Sequence, residues 1–177
     1  MDSRTRRRPH SFVEPVDIDA SRGDEGPRVN IVLVEPEIPQ NTGTIVRLAA
    51  ATRCPLHLVE PLGFELSERA IRRAGLDYWQ HASVTTYPSY KALRDAHPDG
   101  RFWFTSKKAK RLYTSVTYRP DDFLVFGRET TGLPEEMIAA DPERCIGIPM
   151  FGPVRSLNLA NAVSVVVYEA LRQLRGF

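Results

Sequence analysis

The sequence predicts an α/β fold: a largely parallel sheet with helices on both faces. Two observations lead there. Six short apolar or aromatic runs alternate with stretches of helical periodicity, the order that βαβ units produce. Glycine- or proline-rich loops follow the runs that end near Phe104, Phe126 and Ile148, so three loops would gather at one rim of such a sheet. A chain of 177 residues suits one domain of this kind and can bury a sizeable core.

Residues 1–28 hold Arg6-Arg7-Arg8, acidic stretches, glycines and prolines, with few large apolar groups. Such a segment cannot bury enough surface to offset its ordering entropy, so a disordered extension is expected, with a domain over 29–177. Within the domain, 29–34 (VNIVLV) reads as a buried strand. A helix is expected over 42–51, with Ile45, Leu48, Ala49 and Thr52 inward and Asn41 placed to cap it. Strands follow at 56–59, 83–86, 101–105, 123–126 and 145–148. Short helices are expected at 67–76, capped by Ser67, at 89–96, and at 134–140, opened by Pro134. The last helix is expected from Ser156 to about Leu174. Its stripe of Leu157, Ala160, Val163, Val167, Ala170, Leu171 and Leu174 is widened by Val165 and Val166. An amphipathic surface helix has one dry face, so this one is expected deep in the core or shared between two subunits.

The net charge of +2 is too small to identify a nucleic-acid partner, so any basic footprint is local. The densest patch is Lys107, Lys108, Lys110 and Arg111, with Tyr113 beside them. It reads equally as a phosphate grip with a stacking ring or as a solvated loop. Arg47 lies one turn into a helix beside a strand end, although a lone helix arginine is more often a solvated charge. GRETTGLP, with Gly127, Glu129 and Gly132, follows a buried strand at once, a ligand-rim pattern. It is neither G-x-G-x-x-G nor a P-loop, so dinucleotide and nucleoside-triphosphate binding lose support. Asn158 and Asn161 share one face of the last helix, where buried amides need partners.

Cys54 and Cys145 lie far apart in apolar context and match no metal spacing. The four histidines are scattered, and no metal is expected. No run of 18 apolar residues and no apolar leader core occurs, so neither a transmembrane helix nor a signal peptide is expected. A reduced, cytoplasmic setting fits.

Three motifs, in order, resemble those of the SpoU (TrmH-type) branch of the SPOUT RNA methyltransferases. They are PQNTGTIVRLAA with Asn41, Gly43 and Arg47; VFGRETTGLP with Gly127, Glu129 and Gly132; and IPMFGPVRSLNLANAVSVVVYEA with Ile148, Pro149, Ser156, Asn158 and Asn161. EPLGF and IRRAGLDYW are similar to the TrmL subgroup, which methylates the 2′-oxygen of cytidine or uridine 34 in tRNA. The match spans about residues 29–175; Arg128 stands where relatives often carry proline or serine. The resemblance implies a deep C-terminal trefoil knot, a homodimer through the last helix, and S-adenosylmethionine as methyl donor. It also implies a tRNA substrate, among leucine isoacceptors. By position it assigns the donor to Phe104, Gly127, Ile148 and Ser156. Catalysis falls to Arg47 and Asn158, and substrate contacts to Asn41, Glu129, Lys107, Lys108 and Arg111. Methylation of ribosomal RNA is the rival activity, and a non-catalytic RNA-binding protein on the same fold is the alternative of another class.

Overall fold

The computed structural model describes residues 26–65 and 78–177. The extension as far as residue 25 and the helix expected over 67–76, with its cap Ser67, lie outside the described residues. Among the described residues, seven strands form one sheet: β1 (Asn30–Val34), β2 (Leu56–Val59), β3 (Val84–Tyr87), β4 (Phe102–Thr105), β5 (Arg111–Leu112), β6 (Phe123–Phe126) and β7 (Cys145–Gly147). Their spatial order is β3-β2-β1-β6-β4-β7-β5, and all neighbours pair in parallel. β6 therefore lies between β1 and β4, and β7 between β4 and β5. Central strands covered on both faces read as continuous apolar runs, and β1, β2 and β6 are buried at every residue.

Side chains alternate along each strand, so the sheet feeds two cores. Ile31, Leu33, Leu56, Leu58, Leu124 and Phe126 face α1 (Pro39–Thr52) and the last helix, α4 (Leu159–Arg175). Val32, Val34, Phe102, Phe104 and Val125 face the opposite layer, where α2 (Tyr90–Ala96) contributes Leu93 and α3 (Glu135–Ala140) contributes Met137 and Ile138. Asp122, only 2% exposed, anchors the far end of the sheet. Its carboxylate takes both donors of the Arg101 fork, the Trp103 indole N–H at 3.0 Å and the Arg119 amide at 2.9 Å.

Most boundaries differ from the sequence expectation by a residue; the larger differences lie in α1, α4 and β5. α1 begins at Pro39 rather than residue 42. Proline suits the first turn because an N–H there has no helical partner, and Ile38 takes the cap position with extended backbone. α4 begins at Leu159, and Ser156 and Leu157 remain in the preceding loop. Asn158 is the cap, its carbonyl oxygen accepting the amides of Ala160 (2.9 Å) and Asn161 (3.4 Å). α4 ends at Arg175, and Gly176 caps it, taking the left-handed conformation (φ 73°) and donating its amide to the Arg172 carbonyl. β5 is the unexpected strand. Both its side chains are exposed, so no apolar period marks it, and its backbone pairs with β7 from within the basic loop.

α4 buries Ala160, Val163, Val166, Val167, Ala170 and Leu171. Each of the larger ones contributes about 1.5–3 kcal/mol by leaving water. Val165, by contrast, faces outward with Tyr168, and Leu157 is exposed just before the helix.

Candidate active site

The site is built where β1 and β6, parallel neighbours, end side by side. Residues 35–38 follow β1 and residues 127–134 follow β6, and side chains staple these loops together. The Glu129 carboxylate accepts the amides of Glu37 (2.8 Å) and Ile38 (3.2 Å) and the side-chain N–H of Asn41 (3.0 Å). In return, the Glu37 carboxylate accepts the Thr130 amide (3.0 Å) and hydroxyl (2.8 Å). Arg128 closes an ion pair with Glu35, whose backbone is left-handed (φ 52°). A carboxylate bound by several N–H groups is a strong, orienting acceptor.

The network continues through Asn41. Its carbonyl oxygen accepts the side-chain N–H of Asn158 at 2.9 Å, and Asn158 in turn caps α4. Glu129, Asn41 and Asn158 thus form one relay from the β6 loop, across α1, to the N-terminus of α4. Asn41 does not cap α1, as the sequence suggested; it lies inside the helix, buried, and points across to its partners.

A cavity of about 410 Å³ opens beside this relay, between the loops that leave β4 and β6 and the start of α4. Its walls mix apolar Leu133, Ile138 and Leu159 with polar Thr105, Ser106 and Asn158. That size and lining suit a small ligand with both apolar and polar parts, held at the C-terminal edge of a parallel sheet. Gly127 is required where it stands, because a Cβ there would lie 2.2 Å from the backbone of Gly132 and Leu133. Gly132 supplies the left-handed turn (φ 77°), and mutual hydrogen bonds between Arg128 and Gly132 close the loop.

Of the donor residues implied by resemblance, Gly127 and Ser156 line the cavity. Phe104 does not. It is 4% exposed within β4, against Tyr90, and the next residue, Thr105, forms the wall. Ile148 is half-buried against the core, away from the lining. Of the substrate candidates, Asn41, Glu129, Lys107 and Lys108 line the cavity. Lys108 pairs with Glu135 and by that hydrogen bond holds its carboxyl below the usual range. Arg111 stands off the cavity, paired with Glu143 at 2.6 Å. Of the two residues to which the resemblance assigns catalysis, Asn158 lines the cavity. Arg47 lies six residues beyond Asn41 on α1, about 9 Å along the axis, and outside the lining. Its guanidinium sits 4.7 Å over the ring of Tyr78.

Sequence reasoning missed the roles of Glu35, Glu37 and Thr130. Each acts through a partner 93 positions away, and no local periodicity signals such a pair. Among the described residues, no group of three or more His, Cys, Asp or Glu side chains is placed to hold a metal ion. None of the described helices is long and apolar enough to cross a membrane.

Known proteins share this architecture and sequence. A protein of Escherichia coli (strain K12) named tRNA (cytidine(34)-2′-O)-methyltransferase is 49% identical over 147 residues, covering 82% of this chain and 94% of its own length. A solved structure described as structural insights into the 2-OH methylation of C/U34 on tRNA superposes with a TM-score of 0.80 at 48% identity, covering 86% of this chain and all of that one. The AdoMet-bound rRNA methyltransferase from Sinorhizobium meliloti follows at a TM-score of 0.73 and 25% identity, covering 85% of this chain and 58% of its own. Residues 28–168 match the SpoU rRNA Methylase family, and the chain belongs to that family.

Proposed function

We propose that this chain methylates the ribose 2′-hydroxyl of nucleotide 34, a cytidine or modified uridine, in tRNA, with S-adenosylmethionine as donor. The observation that carries the reading is near full-length identity, 49%, to a protein named for that reaction. The family description speaks of rRNA, but this likeness is much closer than that to the rRNA enzyme at 25%. A cavity of about 410 Å³ with mixed walls supports a donor that joins an adenosine to an amino-acid tail. Gly127, Ser156 and Asn158 would hold it. When bound, it supplies a methyl group already activated by a positive sulfur, so the chain's own task is to prepare a weakly acidic hydroxyl.

Arg47 carries a permanent charge and is a poor base. It grips the phosphate beside the target ribose and stabilises negative charge on the 2′-oxygen, whose proton leaves to phosphate or water. The Glu129–Asn41–Asn158 relay keeps the loops around the cavity in one arrangement, so much of the rate comes from orientation. Lys107 and Lys108 at the cavity rim attract the RNA backbone.

The reading includes a homodimer through α4, supported by the outward Val165 and Tyr168 and the exposed Leu157. It also includes a trefoil knot, supported by the insertion of β6 and β7 between earlier strands, and a cytoplasmic location, supported by the tRNA substrate. The test is label transfer. Purified protein with methyl-labelled S-adenosylmethionine should mark bulk tRNA from a strain lacking the enzyme and leave ribosomal RNA unmarked. Label on ribosomal RNA alone would overturn the tRNA assignment.

A further inference from the structure

We propose that Tyr78 is a positioning residue for Arg47, its ring face setting where the guanidinium points. The proposal rests on the role given to Arg47 above. Arg47 is exposed on α1, and an exposed arginine side chain samples many rotamers. Here its guanidinium carbon lies 4.7 Å from the Tyr78 ring centroid, within the range of a cation–π contact. Contact through the ring face consumes no N–H, so all five guanidinium donors stay available to a phosphate.

Tyr78 is itself held in place. The next residue, Trp79, packs against the core shared by α1 and α4, and the Tyr78 carbonyl accepts the His81 amide at 2.9 Å, closing a turn. The ring therefore rides on an anchored turn rather than a free loop. It is still 40% exposed, which leaves room for RNA at the same place.

The experiment compares Tyr78→Leu and Tyr78→Phe with the wild type, at saturating S-adenosylmethionine and varied unmethylated tRNA. Tyr78→Leu should lower kcat about ten-fold and change KM for tRNA less than about two-fold, while Tyr78→Phe, which keeps the ring face, should stay within about two-fold in both. Donor affinity measured by calorimetry should be unchanged in Tyr78→Leu, which shows the variant folded. Single-turnover rates complete a cycle with Arg47→Gln: in that background, Tyr78→Leu should add less than about a two-fold loss, because the charge it positions is gone. A ten-fold loss that persists beside Arg47→Gln, or a rise in KM without loss of kcat, would overturn the proposal and make Tyr78 an independent RNA contact. Wild-type kinetics in Tyr78→Leu would overturn it outright. Near-normal turnover in Arg47→Gln alone would instead refute the role of Arg47, and the two failures are distinguishable.

Discussion

Glu129→Gln tests the relay at its most connected member. The carboxylate accepts from the Glu37 amide at 2.8 Å, the Ile38 amide at 3.2 Å and Asn41 at 3.0 Å. Glutamine keeps one acceptor oxygen and places an NH2 where the other was. With its oxygen toward Ile38 and Asn41, the NH2 faces the Glu37 amide, donor against donor. One bond is lost, and two lose their charge assistance. A charge-assisted bond contributes about 1.5–3 kcal/mol and a neutral one about 0.5–1.5. The sum is about 5 kcal/mol; Glu129 is only half-buried, so water recovers more than half of it, leaving about 2 kcal/mol. Urea unfolding should therefore show the midpoint falling with unchanged slope. Asn41→Ala should cost less in the Glu129→Gln background than alone, because the two share a bond. Affinity for S-adenosylmethionine should fall about ten-fold as the cavity loops loosen. A change in stability under about 0.5 kcal/mol, with additive effects of the two substitutions, would refute the claim that this carboxylate organises the site.

Two further predictions concern the frame that carries the site. His57 is buried, with Nε2 at 3.1 Å from the Asn30 carbonyl oxygen, and burial first, then the charge of His97, lower its pKa to about 4. Above its ordinary value of 6.5 the ring is neutral in folded and unfolded chain alike, and its contribution to stability is fully present. As pH falls from 6.5 towards 4, only the unfolded chain takes up the proton, so stability drops by up to about 3 kcal/mol. The pH dependence of unfolding should be shallower over that window in His57→Gln than in the wild type. Asp122→Ala leaves the Arg101 guanidinium, 19% exposed, with the Thr117 carbonyl but without its carboxylate, and the Trp103 indole N–H without its acceptor. It should cost about 3–5 kcal/mol, read as a Tm lowered by about 10 °C.

The parts of the fold legible in the sequence are those whose burial is continuous. β1, β2 and β6 are covered on both faces, and their apolar runs mark them. β5 escapes because it is two exposed residues whose strand pairing leaves no apolar period. The start of α4 escapes for another reason: Ser156 and Asn158 are equally good caps by residue type, and only the contact between the Asn158 side chain and Asn41 distinguishes them. In the site, glycines and amides flanking strand ends point to the cavity, since turn geometry and buried amides leave a local signature. The clasp between Glu37 and Thr130 leaves none, because an acidic residue in a proline-rich loop looks solvated until its distant partner is brought to it. The stacking of Arg47 on Tyr78 is hidden in the same way, by a separation that no helical or strand period spans.

The central claim is that the reacting atom is the 2′-oxygen of nucleotide 34, and one substrate pair tests it most directly. Two otherwise identical unmethylated tRNAs are prepared, one with ribose and one with 2′-deoxyribose at that nucleotide, and incubated with the protein and methyl-labelled S-adenosylmethionine. The account predicts label on the ribose tRNA, mapped by nuclease digestion and mass spectrometry to that sugar, and none on the deoxyribose tRNA. Equal label on both would place the methyl elsewhere and contradict the account.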